Sequence, residues 1–219
     1  MKKFISGDEA MTDATSFPQR LLRDTGGASM IEFTLVVWMM LGLTFGIVEI
    51  GIAMWQYTAT VKASYQGVRV AVQSDPVAPA ITTYSGVLDD DLRPGQALTL
   101  PNFTLRCTSG ACTCAAGNCS GLGAPGYDAA AFNAIVAAMR PMMPFVSAAE
   151  LTQRVFVEYN HVGLGFAGRP GPDVVPIVSV GVNNLTYDFV VMGAFGLGSW
   201  PIAVGRATMP AEDLDSTWP

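Results

Sequence analysis

Charge is scarce in this chain. Only 14% of its 219 residues are Asp, Glu, Lys or Arg, against about 25% in an average soluble domain. The deficit has a local source. From Met30 to Tyr57 the only strongly ionising side chains are Glu32 and Glu49, and "FTLVVWMMLGLTFGIV" between them runs sixteen residues without a charge. Basic clusters are missing too: from residue 58 onward eight Lys/Arg stand against twelve Asp/Glu, a net of −4. That excludes a nucleic-acid partner, which needs a clustered basic face. Histidine occurs once, at His161. One histidine builds no metal cage without acidic help, and no serine or cysteine beside it suggests a triad, so a structural or surface role is expected. Cysteine is absent outside "CTSGACTCAAGNC", and no internal repeat is visible.

With its flanks, the apolar run exceeds the ~20 residues a membrane-spanning helix needs. A buried core helix and a cleaved secretory signal are the alternatives. The run is longer than the roughly 7–15 residues of a signal core, and no small-x-small site closes it. A single retained anchor is the preferred reading. Lys2, Lys3, Arg20 and Arg23 precede the span, while Lys62 and Arg69 follow it. Basic residues favour the cytoplasmic side, so the short N-terminal segment is expected inside and the large C-terminal portion outside. The four cysteines, Cys107, Cys112, Cys114 and Cys119, agree with an oxidising exterior. An even number there suggests two disulfides, with three pairings open. The spacing C-x4-C-x-C-x4-C lacks the C-x2-C knuckles of structural zinc; zinc and free thiols stay as alternatives, and the segment reads as a stapled loop.

The first 24 residues are polar, contain Pro18 and read as a leader or tail. A helix is expected from about 28 to 73, roughly 69 Å long at 1.5 Å per residue. Past Tyr57 it turns amphipathic, with Val61, Tyr65, Val68 and Val72 on one face, and Asp75-Pro76 ends it. Its apolar stripe needs a partner surface, and a sheet is available. Residues 97–107, 152–162, 174–182 and 185–192 are β-rich runs bounded by Gly, Pro and Asn, with Asn183-Asn184 fitting a tight hairpin between the last two. Asp128 is placed to cap "AAAFNAIVAAMR", whose Phe132, Ile135, Val136 and Met139 form one stripe. The fold class is therefore α+β: a long N-terminal transmembrane and amphipathic helix packed on a small antiparallel sheet, with a disulfide-stapled loop.

Catalytic motifs fail on their surroundings. "GLGFAG" (163–168) matches G-x-G-x-x-G, but "RPGPDVVP" follows and its prolines forbid the helix that a dinucleotide site requires. "GLGSWP" is no nucleophile elbow. "DDD" (89–91) lacks the alternating oxygen ligands of a calcium loop and reads as a solvated acidic loop. No catalytic residue, metal or cofactor is expected, and the chain reads as a non-enzyme.

Glu32 is the informative residue, because a carboxylate at the start of a membrane span is costly and usually functional. An interfacial glutamate suited to the helix dipole is the bland account. The other follows from what precedes it. If the chain were cut after Gly27, Ala28 would carry a free ammonium and Glu32 would be the fifth residue. A neighbouring subunit staggered along the helix axis would bring its ammonium to this carboxylate, offsetting the desolvation of both.

The order Gly27, four residues, Glu32-Phe33 and a long apolar helix resembles the class IVb prepilin cleavage signal. With "GGASMIEFTLVV", "FGIVEIG" carrying Glu49, and "ASYQGVRVAV", residues 25–72 resemble the TadE-like minor pseudopilins of the tight-adherence (Tad/Flp) pilus system. The resemblance implies a leader (1–27), a transmembrane part (28–57) and a periplasmic α+β, pilin-like domain (58–219). It implies a bacterial inner-membrane, single-pass protein cut by a prepilin peptidase between Gly27 and Ala28. Gly27, Ala28, Glu32 and Phe33 would form the cleavage signal, and Glu32 and Glu49 would be intramembrane assembly charges. The implied role is to help initiate or assemble a pilus, with other pilins or pseudopilins, the inner-membrane assembly platform and the lipid bilayer as partners. The alternative function is a single-pass periplasmic binding module with an uncleaved anchor. A membrane-anchored periplasmic enzyme is a third reading, for which the sequence offers no triad or metal cage.

Overall fold

The computed structural model describes residues 27–194, 196, 198–202, 205–211 and 214. All of the expected leader except Gly27 lies outside the described residues. The chain divides into two units, residues 1–49 and 50–219.

In the first unit the described residues open helix α1 (Ala28–Ala71). From Met30 to Val48 its large apolar side chains are exposed. The hydroxyls of Thr34 and Thr44 donate to the carbonyls of Met30 and Met40, four residues back, at 2.7 and 3.0 Å. Such back-bonding satisfies both hydroxyls of this stretch without water.

In the second unit α1 continues to Ala71, two residues short of the expected end. Its last turns are buried on Ala59, Thr60, Ala63, Ser64, Gly67, Val68 and Ala71. The expected stripe is therefore corrected: Val68 is buried, but Tyr65 is 52% exposed and Val61 and Val72 are only half-buried. Small residues win this face because they let the helix backbone approach its neighbours. A β-carbon on Gly67 would lie 2.8 Å from Met139 Sδ and 2.9 Å from Val180 Cγ1. The Ser64 hydroxyl donates to the Gly205 carbonyl at 2.6 Å.

After α1 come two short helices, α2 (Ala80–Thr83) and α3 (Gly86–Asp89). Helix α4 (Ala129–Met139) is capped as expected, with Asp128 Oδ1 accepting from the backbone N–H groups of Ala130 (2.7 Å) and Ala131 (3.1 Å). Phe132, Ile135, Val136 and Met139 are buried, each contributing on the order of 1.5–3 kcal/mol. Helix α5 (Ala148–Arg154), capped by Ser147, takes the first residues of the run expected as strand 152–162.

Strands β1 (Phe103–Thr108), β2 (Ala111–Gly117), β3 (Val155–His161), β4 (Ile177–Val182) and β7 (Arg206–Pro210) form an antiparallel sheet in the order β2-β1-β3-β4-β7. Its core face is built in rows. Leu105, Tyr159, Val178 and Met209 are direct cross-strand partners, as are Cys112, Cys107, Val157, Val180 and Ala207. The Tyr159 hydroxyl accepts from the Val77 N–H at 2.9 Å, tying the sheet centre to the chain leaving α1.

The cysteine segment is stapled by two disulfides as expected, and part of it is a strand, β2, turned back on β1 through Ser109 and Gly110, whose φ of 100° suits glycine. One expectation is corrected here. The run after Asn183-Asn184 does not fold back on β4. Asn184 does adopt the left-handed conformation (φ 52°), but β4 already has β3 on one edge and β7 on the other. Strand β5 (Thr186–Asp188) instead pairs with β6 (Ser199–Pro201) in a separate two-stranded sheet, with the short helix α6 (Val191–Ala194) between them.

Candidate functional site: the N-terminal helix

The helix opens where the Ile31 N–H bonds to the Gly27 carbonyl at 3.2 Å, so Ala28 is its first residue. Gly27 is exposed, and a β-carbon there would meet nothing within 4 Å. Neither close packing nor backbone strain in the folded chain calls for glycine at this position. Phe33 is 69% exposed. Glu32 is exposed and sits just past the first helical turn, without an ion pair or hydrogen bond among the described residues. Glu49 differs, being 7% exposed. The two acids bracket a stretch whose apolar side chains face outward.

Between Met30 and Tyr57 eighteen large hydrophobic side chains are exposed. The helix that carries them is long and apolar enough to cross a membrane, with a mean hydropathy of 2.1 over its most apolar part. Monomeric soluble proteins rarely leave so large a contiguous patch to water. Such a surface fits a membrane anchor.

The cysteines pair as Cys107–Cys112 and Cys114–Cys119. This selects one of the three pairings and replaces the zinc and free-thiol alternatives. The first bond joins directly opposed residues of β1 and β2, and the second ties β2 to the turn before the 3-10 helix Ser120–Leu122. Together they hold an edge strand of small, exposed residues that has little packing of its own.

Other singled-out residues have structural roles. "GLGFAG" lies in the loop between β3 and β4, with Gly163, Gly165 and Gly168 at positive φ and no helix following. The buried Asp173 holds that loop by accepting from the backbone N–H groups of Gly86 (2.8 Å) and Gly168 (3.0 Å). In "DDD", Asp90 accepts from the hydroxyls of Thr99 (2.6 Å) and Tyr84 (2.8 Å), which hold its carboxyl below the usual range. Burial and that same carboxylate push the Tyr84 hydroxyl well above its ordinary value. His161 is fully buried, stacked on Phe103 at 5.2 Å, and neither ring nitrogen has a hydrogen-bond partner among the described residues. Burial lowers its pKa, disfavouring the charged form.

Sequence reasoning missed the outer face of the sheet. Arg106, Glu158, Ser179 and Thr208 are direct neighbours across four strands. Glu158, 7% exposed, is held by Arg106 at 3.3 Å and Arg206 at 2.6 Å, and Arg206 also donates to Ser179 Oγ at 3.2 Å. The alternation in "RVFVEYNH" signals two faces, but the arginines come from strands 48 or more residues away.

No curated protein and no solved structure shows significant similarity to the chain. Residues 27–69 match the family model described as TadE-like protein. The matched stretch covers Gly27, Ala28, Glu32, Phe33, Glu49 and the close-packing Gly67. It is therefore the N-terminal helix, and not the rest of the chain, that is similar to TadE-like proteins.

Proposed function

We propose that the protein is a minor pseudopilin that helps initiate or assemble a Tad/Flp-type pilus, after a prepilin peptidase cuts between Gly27 and Ala28. One observation carries the reading. The segment that matches TadE-like proteins pairs an exposed apolar helix with a carboxylate, Glu32, that has no ion-pair or hydrogen-bond partner among the described residues. Cleavage creates the missing partner, an ammonium on Ala28 of a neighbouring subunit. A buried charge left alone is strongly destabilising, whereas a hydrogen-bonded ion pair offsets much of the desolvation. Side-by-side packing of α1 with other pilins or pseudopilins is thereby given its axial register.

The role is structural rather than catalytic, and the partners are pilus subunits, the inner-membrane assembly platform and the bilayer. Basic residues before the span favour a cytoplasmic N-terminus. Two disulfides beyond it favour a periplasmic domain. The test uses Glu32→Ala in cells that hold the peptidase and the pilus subunits. Wild-type levels of leader removal with loss of subunit co-purification are expected; co-purification unchanged by the substitution contradicts the proposal.

A further inference from the structure

The last apolar turns of α1 share a groove with the β5–β6 hairpin. Ile50, Met54 and Tyr57 form one wall, Tyr187, Phe189 and Trp200 the other, enclosing about 260 Å³. The aromatic wall is built rather than incidental. Tyr187 and Trp200 are direct cross-strand partners. The Phe189 ring meets the Tyr187 ring edge-on at 5.1 Å and lies 6.2 Å from that of Trp200. Yet the hairpin exposes much of what it organises: Trp200 is 63% exposed and Val190 81%.

Its sequence is equally unusual for a loop in water. "TYDFVVMGAFGLGSWPI" (186–202) holds one charged side chain, Asp188, which lines a separate polar cleft with Gln56 and Glu150. On α1, the next charge after Glu49 is Lys62, so Ile50 to Tyr57 belongs to the apolar stretch. A groove has one depth. If lipid surrounds Ile50, Met54 and Tyr57, the wall facing them meets lipid as well. Tryptophan and tyrosine favour the level of the headgroups, where the ring is apolar and the N–H or O–H stays wet. A two-stranded hairpin also leaves backbone groups unpaired, which suits the interface and not the hydrocarbon centre.

We propose that the β5–β6 hairpin is a second membrane contact. A phospholipid acyl chain fills the groove, and Trp200 lies among the headgroups of the leaflet that α1 leaves. This rests on the membrane-anchored reading of α1 and adds to it that the folded domain is seated on the bilayer, not tethered above it.

The test uses the full-length chain in phosphatidylcholine vesicles carrying bromine either near the headgroup or near the chain end. One variant retains Trp200 alone (Trp38→Phe, Trp55→Phe, Trp218→Phe); a second retains Trp38 alone. The expected result is loss of more than about half of the Trp200 fluorescence with headgroup-proximal bromine, a smaller loss with chain-end bromine, and quenching of Trp38 in the same vesicles. Trp38 quenched and Trp200 unquenched with water-like emission overturns the proposal while the anchor stands. Trp200 unquenched but blue-shifted and shielded from acrylamide overturns it in favour of a protein occupant, such as a second copy. Neither tryptophan quenched overturns the anchor, and the proposal with it. Val190→Trp in a background lacking all four native tryptophans gives an independent reading of the same hairpin, with the same expected pattern.

Discussion

Gly67 of α1 faces Met139 of α4 so closely that a β-carbon on it would come within 2.8 Å of the sulfur. Two helices and the sheet meet at this point, because Val180 Cγ1 is as near, at 2.9 Å. An added methyl improves helix propensity by up to ~1 kcal/mol, while overpacking a filled core costs about 1–3 kcal/mol. Met139 can yield at its tip; the valine methyl on the sheet cannot follow. Gly67→Ala is expected to lower stability by about 1 kcal/mol net, and Gly67→Leu by about 3 kcal/mol. Urea midpoints of the detergent-solubilised full chain check both, and an unchanged midpoint for Gly67→Leu would show that the contact is loose.

His161 supplies a pH dependence. Burial lowers its folded pKa below the ordinary 6.5. The unfolded chain then binds the proton more readily than the folded one. Stability is full above about pH 6.5 and falls as the pH drops toward the folded pKa. His161→Phe, which keeps the stack on Phe103, is expected to flatten the pH profile between 7 and about 5. Chemical denaturation at stepped pH reads this directly.

Glu158 is the shared acid of the outer face. Removing its charge deprives Arg106 and Arg206 of the carboxylate they share. Arg206 is about half exposed, so solvent screens part of the loss. Glu158→Gln is expected to cost about 1–2 kcal/mol, and Arg106→Gln less, since Arg206 still holds the carboxylate. Equal losses for the two substitutions would contradict this division of labour.

The two disulfides staple a hairpin, not the helix. Reduction is expected to raise amide exchange across residues 103–119 while the helical far-ultraviolet signal of α1 stays constant. Loss of that signal on reduction would mean that the hairpin supports the whole second unit.

Legibility in the sequence followed the size of the side chains. Helix α4 was readable because Phe132, Ile135, Val136 and Met139 recur at helical spacing behind a capping Asp128. The span was readable because nothing charged interrupts it. The buried face of α1 was not, because Ala63, Ser64 and Gly67 carry little hydropathy; the larger Val61 and Tyr65 drew attention to a face that stays half-buried or exposed. Strand β2 was hidden for the same reason, being built of Ala, Cys, Thr and Gly. Which strand β5 would join depended on β7, some twenty residues further on, taking the free edge of β4. No local pattern encodes that. Gly27 and Glu32 were legible only through their spacing, since neither is demanded by the packing around it.

What stands at the start of α1 in the living cell decides whether Glu32 has a partner. The intact mass of the protein extracted from membranes of cells with an active prepilin peptidase tests it most directly. A species beginning at Ala28, lacking residues 1–27, is predicted. A species still carrying Met1 through Gly27 under those conditions would contradict it, because Glu32 would then have no ammonium to meet.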